Sequence, residues 1–170
     1  MPDGLRRYHH SGQSHFVTFS CYHHFALLER EKHRDMVVAA LEHARRKYRF
    51  RVHGFVVMLD HVHLLVSEPE RALLANAMQS FKISSSKRTA GAHRRSTLWQ
   101  PRYYDRNIRD AEEFAEKLDY IHNNPGKRNL CARPEEWKWR SCRRYVRGED
   151  CGVEIESEWT AKKRGAGTGR

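Results

Sequence analysis

Two short apolar runs separated by only two residues constrain this chain more than any other feature. The first covers Arg51–Met58, and after Leu59-Asp60 the second follows as His61-Val62-His63-Leu64-Leu65-Val66. Strands joined by so tight a connection pair antiparallel. Because side chains alternate along a strand, both histidines project from one face. Two imidazoles on one face are candidates for two of the ligands of a metal site, although strand histidines are more often surface or core residues than ligands.

The remaining pattern alternates between strand and helix. Strands are predicted over His15–Tyr22 and Trp99–Ile108, and helices over Glu31–Tyr48, Glu70–Ser86 and Asp110–Asn124. Asp110 is the predicted N-cap of the third helix, Glu113 completes a capping box, and Pro125 is expected to end it. This order predicts an α+β fold, a ferredoxin-like sandwich with helices on one face of an antiparallel sheet and an additional C-terminal helix.

Positive charge dominates the chain, which has 170 residues and a formal net charge of +11. This length suits one domain, predicted over residues 1–147, and a flexible basic tail over residues 148–170. The charge favours a polyanionic partner such as nucleic acid. The sequence contains no apolar run of membrane-spanning length, and Met1–His15 has no apolar core of a secretory signal, so we expect a cytoplasmic protein with no membrane partner.

The cysteines lack any Cys-x-x-Cys spacing. In a cytoplasmic chain they are expected to be reduced thiols rather than a zinc site. They are Cys21, Cys131, Cys142 and Cys151.

Two basic segments with interleaved aromatic residues are candidates for binding nucleic acid. Each of the ranges 82–109 and 127–147 contains eight lysines and arginines. Cations contact phosphates and exposed aromatic rings stack on unpaired bases, although any one cation can be a solvated surface residue and any one tryptophan a core residue. The candidate phosphate contacts are Lys82, Lys87, Arg88, Arg102, Arg106, Arg109, Lys127, Arg128, Arg143 and Arg144, and the candidate stacking residues are Trp99, Tyr103, Tyr104 and Trp139.

The third predicted helix has a tyrosine outside its core face. Its apolar stripe is Phe114, Leu118 and Ile121. At the helical repeat Tyr120 lies about 120° from the centre of that stripe and about 40° from Asn124. Tyr120 is therefore a candidate functional residue, with an amphipathic tyrosine at the edge of the core as the alternative.

Several of these segments together resemble one family. The run Met58–Val66 resembles the HUH motif, histidine-hydrophobic-histidine, of single-tyrosine transposases. The segments Trp99–Arg109, Tyr120–Pro125 and Trp137–Ser141, in this order, resemble the REP-associated tyrosine transposases, bacterial relatives linked to repetitive extragenic palindromes. The similarity spans Gly12 to Tyr145.

The resemblance implies an enzyme that binds single-stranded or hairpin DNA of REP type and cleaves it through a tyrosine, leaving a 5′-phosphotyrosine and a free 3′-OH that allow rejoining. It implies Tyr120 as nucleophile and His61, His63 and Asn124 as ligands of a divalent metal. This nitrogen and oxygen set suits Mg²⁺ or Mn²⁺, although imidazoles also bind Zn²⁺. A monomer is favoured over a dimer, and the DNA partner implies association with the bacterial nucleoid. A non-catalytic hairpin-DNA-binding regulator and an RNA-binding module remain alternatives.

The chain departs from the family pattern at two positions. Asp60 stands where asparagine is common, and Cys142 stands where a second serine is common. Asp60 is interpreted as a turn residue, with added negative charge near the metal as the alternative.

Overall fold

A computed structural model describes residues 13–90 and 97–157 of the chain. In chain order the main elements are β1 His15–Ser20, α1 Glu31–Tyr48, β2 Val52–Val57, β3 His61–Val66, α2 Leu74–Thr89, β4 Tyr104–Asn107, α3 Ala111–Lys127 and α4 Cys142–Arg147. No described helix has the length and apolarity needed to cross a membrane.

The four strands form one antiparallel sheet in the order β2-β3-β1-β4. β2 and β3 pair antiparallel as their short connection predicted, and β1 pairs with both β3 and β4. Together with the helices, this is the predicted α+β sandwich with a ferredoxin-like element order. The pairing places Thr18 opposite His63 and Ser20 opposite His61, so the histidines lie at the centre of the sheet.

The two faces of the sheet carry different helices. Helices α1 and α2 pack against each other, and Phe19 of β1 contacts Phe81 of α2 at 5.3 Å between ring centroids. Helix α3 contacts β2 and β3. Its Tyr120 lies against His63. His63 pairs with Thr18, and the next residue of β1, Phe19, points to the other face of the sheet, toward α2. The additional helix therefore covers the histidine face, opposite α1 and α2.

The N-cap of α3 is as predicted, but its capping box and its end are not. The Asp110 side chain accepts a hydrogen bond from Glu113 N at 2.8 Å, which confirms the N-cap. The Glu113 carboxylate instead accepts from Arg109 N at 3.0 Å and pairs with Arg106. Pro125 does not end the helix, which continues to Lys127 with Pro125 buried inside it. Packing of this last turn outweighs the helix-breaking tendency of proline.

The segment after α4 returns to the sheet, although the prediction made everything from Gly148 a flexible tail. Val153 and Ile155 are buried, and Glu156 N donates to Val52 O at 2.8 Å. Ile155 forms a parallel bridge with Val52, so the segment covers the outer edge of β2. The packed domain thus extends to Ser157, and the predicted tail over residues 158–170 lies outside the described residues.

A close approach at Gly54 sets how α3 sits on the sheet. A Cβ at this position would lie 2.6 Å from Leu118 Cδ1 and 3.7 Å from Ile121 Cδ1. We expect Gly54→Val to lower the free energy of unfolding by about 1–3 kcal/mol and to displace α3, as overpacking does. Chemical denaturation measures the effect. The control is Gly126→Ala, because a Cβ at Gly126 meets nothing within 4 Å. Equal losses in the two variants would contradict the expectation.

Candidate functional site

The site begins with the two histidines of β3. His61 and His63 are both buried, and their ring centroids are 4.6 Å apart. Each ring is held at Nδ1: that of His61 lies 2.6 Å from Asp60 Oδ1, and that of His63 lies 2.8 Å from Thr18 Oγ1. The opposite ring nitrogen, Nε2, is therefore the one left to act as a ligand in each histidine.

Tyr120 packs against His63, one member of this pair. Its ring centroid lies 5.2 Å from that of His63, in an edge-to-face arrangement, and 6.0 Å from that of Phe16. The side chain nonetheless remains 41% exposed. A tyrosine that is partly open to solvent and packs on a buried histidine is accessible to a substrate. The two candidates that the sequence placed 57 positions apart are thus in contact.

The residues present suit a divalent metal. His63 Nε2 and Asn124 Oδ1 are both buried without a hydrogen-bond partner. Leaving such atoms unpaired is unfavourable, so a ligand that satisfies them is expected. The described residues contain no group of three or more histidine, cysteine, aspartate or glutamate side chains placed to bind a metal, so a third ligand here would be of another kind. The candidate is the amide oxygen of Asn124, four residues after Tyr120 on α3. Two imidazoles and one amide oxygen form such a set.

The protonation states of His63 and Asp60 favour a bound cation. Burial, with smaller effects from His61 and the cations Arg128 and Lys117, lowers the pKa of His63 to about 3, so its imidazole is neutral at physiological pH. The contact with His61 is the main reason that the pKa of Asp60 falls below its ordinary value, so that carboxylate is ionised.

Cations from the middle and the end of α3 lie near Tyr120 and the ring of Phe16 on which it packs. Lys127 Nζ lies 5.7 Å from the ring centroid of Tyr120, and Lys117 Nζ lies 4.9 Å from that of Phe16. Arg128 is exposed at the end of the helix. Lys127 and Arg128 were predicted as phosphate contacts, whereas Lys117 was not. Lys117 could have been identified from the sequence, because it lies three residues before Tyr120 and this spacing places both side chains on neighbouring parts of the helix surface.

The other predicted phosphate contacts differ in their freedom to bind DNA. Lys87, Arg88, Arg102 and Arg109 are exposed, although Arg88 Nε donates to Ser84 Oγ at 3.3 Å and Arg109 Nε lies 3.6 Å from Glu113 Oε2. Four others already bind within the protein: Lys82 donates to Gln100 O and Pro101 O, Arg106 pairs with Glu113, Arg143 donates to Glu135 O, and Arg144 donates to Gly148 O.

The structure corrects most of the predicted stacking residues. Trp99 is 2% exposed and donates from Nε1 to Ser85 Oγ, and Trp139 is 6% exposed and donates to Asp35 Oδ1. Both indoles are core residues and present no face to a base. Tyr103 packs on Phe19 at 4.9 Å, on the α2 side of the sheet. Tyr104 alone among the four is exposed next to the site, through an edge contact with Phe16.

Comparison with known proteins places this chain among the transposases. A family profile described as transposase IS200-like matches residues 8–124, and the chain belongs to this family. Within it, the relatives are named REP-associated tyrosine transposases, which confirms the resemblance predicted from the motifs.

Two of these relatives are bacterial proteins of similar sequence. The chain is 25% identical over 141 residues to the REP-associated tyrosine transposase of Escherichia coli K12, covering 83% of each protein. It is 29% identical over 113 residues to a candidate REP-associated tyrosine transposase of Haemophilus influenzae. That match covers 60% of this chain and 64% of the relative, less than two thirds of its length.

A solved structure has the same fold. It is a REP-associated tyrosine transposase bound to a REP hairpin, with a TM-score of 0.72 and 22% identity. The match covers 91% of this chain and 92% of the other. The sheet with its helices is therefore the architecture of that protein.

Proposed function

We propose that this chain is a metal-dependent single-stranded DNA endonuclease and strand transferase that binds REP-like hairpins and cleaves beside them through Tyr120. The observation that carries the proposal is the contact of the exposed Tyr120 with buried His63, whose Nε2 has no hydrogen-bond partner. A retained nucleophile and an unsatisfied ligand in one place favour an enzyme over a non-catalytic DNA-binding regulator.

The reaction exchanges one phosphodiester for another. The Tyr120 hydroxyl oxygen bonds to phosphorus, the bond from phosphorus to the 3′ oxygen breaks, and the proton lost by the phenol is balanced by the one that the leaving 3′ oxygen gains. The products are a 5′-phosphotyrosine and a free 3′-OH. Because the number of phosphodiester bonds is unchanged, attack by another 3′-OH reverses the step and rejoins a strand.

The proposed site residues have three roles, which are binding the metal, orienting the phenol of Tyr120 and neutralising the charge of the phosphate. His61, His63 and Asn124 would hold Mg²⁺ or Mn²⁺, which supplies polarisation of the scissile phosphate when bound. Packing of Tyr120 on His63 and Phe16 fixes the direction of the phenol. Lys117 and Lys127 offset the charge of the phosphate on either side of it.

Hairpin DNA is the proposed partner, on the basis of the net charge and of the hairpin bound to the related protein. The DNA would be that of a bacterial nucleoid, because the named relatives are bacterial. Since Tyr120 reaches His63 of its own chain, one molecule supplies every proposed catalytic group, which favours a monomer.

A covalent adduct tests the function directly. REP hairpins with randomised single-stranded flanks, labelled at the 3′ end, are incubated with the full chain and Mn²⁺ and then run on a denaturing gel. We expect a labelled protein–DNA adduct, and with 5′-labelled DNA a shortened product whose 3′-OH a polymerase can extend. Tight binding with no adduct would indicate a regulator, and preferential binding of an RNA hairpin would indicate an RNA-binding module.

The cations beside Tyr120 give a prediction for binding. We expect Lys127→Ala combined with Arg128→Ala to weaken hairpin binding. The salt dependence, log Kd against log salt, should become shallower by about 0.7–0.9 for each phosphate that the variant no longer neutralises. Binding titrations over a range of salt measure both. The matched control is Lys32→Ala with Lys47→Ala, two exposed cations of α1 on the opposite side of the sheet. Equal changes in both double variants would show that only net charge matters.

A further inference from the structure

The connection between β2 and β3 contains the carboxylate of Asp60, whose contact with His61 is not needed to close the turn. The turn is already closed by backbone hydrogen bonds, from Met58 N to His61 O at 2.8 Å and from Cys21 N to Asp60 O at 2.7 Å. The Asp60 side chain is 27% exposed, and its Oδ1 lies 2.6 Å from His61 Nδ1. A turn residue alone does not need this contact.

The chemistry of that contact decides where the proton of His61 lies. An ionised carboxylate only accepts hydrogen bonds, so His61 Nδ1 must be the donor and Nε2 retains its lone pair. His63 has no such constraint, because its partner Thr18 Oγ1, at 2.8 Å, can donate or accept. The two histidines are therefore held in different ways, one by a charge and one by a neutral hydroxyl.

We propose that Asp60 is a positioning residue that fixes His61 in the tautomer with the proton on Nδ1, so that Nε2 is presented as a metal ligand. The ligand part of this inference rests on the proposed function, whereas the tautomer part rests on the hydrogen bond alone. A carboxylate behind a ligating imidazole orients the ring and raises its basicity, and loss of such a partner typically weakens metal affinity about 10- to 100-fold. Asp60 thus has a role beyond the turn that the sequence predicted.

Two measurements on the full chain test the proposal. Long-range ¹H–¹⁵N spectra of metal-free protein labelled at histidine report the tautomer of His61, assigned from the signal that His61→Gln removes. Manganese titration followed by electron paramagnetic resonance reports affinity. In wild type we expect the proton on Nδ1. In Asp60→Ala we expect a mixture of tautomers and Mn²⁺ affinity weaker by about 10-fold. Asp60→Asn keeps an acceptor oxygen without the charge, so its loss should be smaller.

Control variants separate this role from general charge and from folding. Asp119→Asn removes a negative charge from an exposed side chain of α3, next to Tyr120 in sequence, and should leave both measurements unchanged. If Asp60→Ala does not fold, Asp60→Ser also lacks the carboxylate and keeps a side chain suited to turns.

The outcomes for Asp60 and for the proposed function can be told apart. An unchanged His61 tautomer in Asp60→Ala, or an equal loss of affinity in Asp119→Asn, would overturn the proposal. A wild-type chain that binds no Mn²⁺ would defeat the metal part of the proposed function, and the tautomer of His61 would still decide the positioning role.

Discussion

Tyr120→Phe is expected to abolish the covalent DNA adduct and to lower strand cleavage by at least about 10⁴-fold, because it removes the oxygen proposed to attack phosphorus. Hairpin affinity should be unchanged, since the substitution removes one oxygen and keeps the ring on His63. Stability should stay within about 0.5 kcal/mol of wild type, as is usual for an exposed site. Adduct gels with 3′-labelled hairpins and binding titrations measure the two properties separately.

Tyr104→Phe is the matched control for that result. Tyr104 is exposed to a similar degree, 40% against 41%, and its ring also contacts Phe16. It does not contact His63 among the described ring pairs, so this variant should form the adduct at a near wild-type rate. Adduct formation by Tyr120→Phe, or its loss in Tyr104→Phe, would show that the nucleophile is misassigned.

The sequence predicted the scaffold well where local signals agree with the final packing. The predicted helix over Glu31–Tyr48 has the bounds of α1, and the short connection of β2 and β3 leaves only an antiparallel pairing. Asp110 caps α3 as its side-chain chemistry requires. The contact of Tyr120 with His63 depends instead on the direction in which α3 crosses the sheet. The motif resemblance predicted this contact, but helical periodicity alone could not.

The errors have a common physical origin, which is that burial depends on tertiary contacts. Trp139 lies between basic residues in sequence, yet the Arg34 guanidinium stacks on its ring at 3.8 Å and its indole donates to Asp35. Charges next to an aromatic residue in sequence therefore do not show that the ring is exposed. For the segment Val153–Glu156 a local signal did exist, because its residues alternate between apolar and acidic and only the apolar ones are fully buried.

A second large effect is expected at His63 of β3, a proposed metal ligand. His63→Ala should lower Mn²⁺-dependent cleavage by about 10²- to 10⁴-fold, because polarisation of a phosphate by a bound cation is worth several kcal/mol. Truncation also removes the ring on which Tyr120 packs. Manganese affinity and adduct formation should fall together, whereas binding of the hairpin should persist because it depends on cations outside the histidine pair.

His53→Ala distinguishes loss of the site from loss of a buried imidazole. Burial, with a smaller effect from Arg51, lowers the pKa of His53 to about 4, so this histidine of β2 is also neutral at physiological pH, but it packs on Phe114 rather than on Tyr120. Each truncation should lower the free energy of unfolding by about 1–3 kcal/mol. Only His63→Ala should also lose Mn²⁺ binding and the adduct. If both variants keep wild-type cleavage, the histidine pair is structural, and Tyr120 must be activated by another group, for which Lys127, 5.7 Å from its ring centroid, is a candidate.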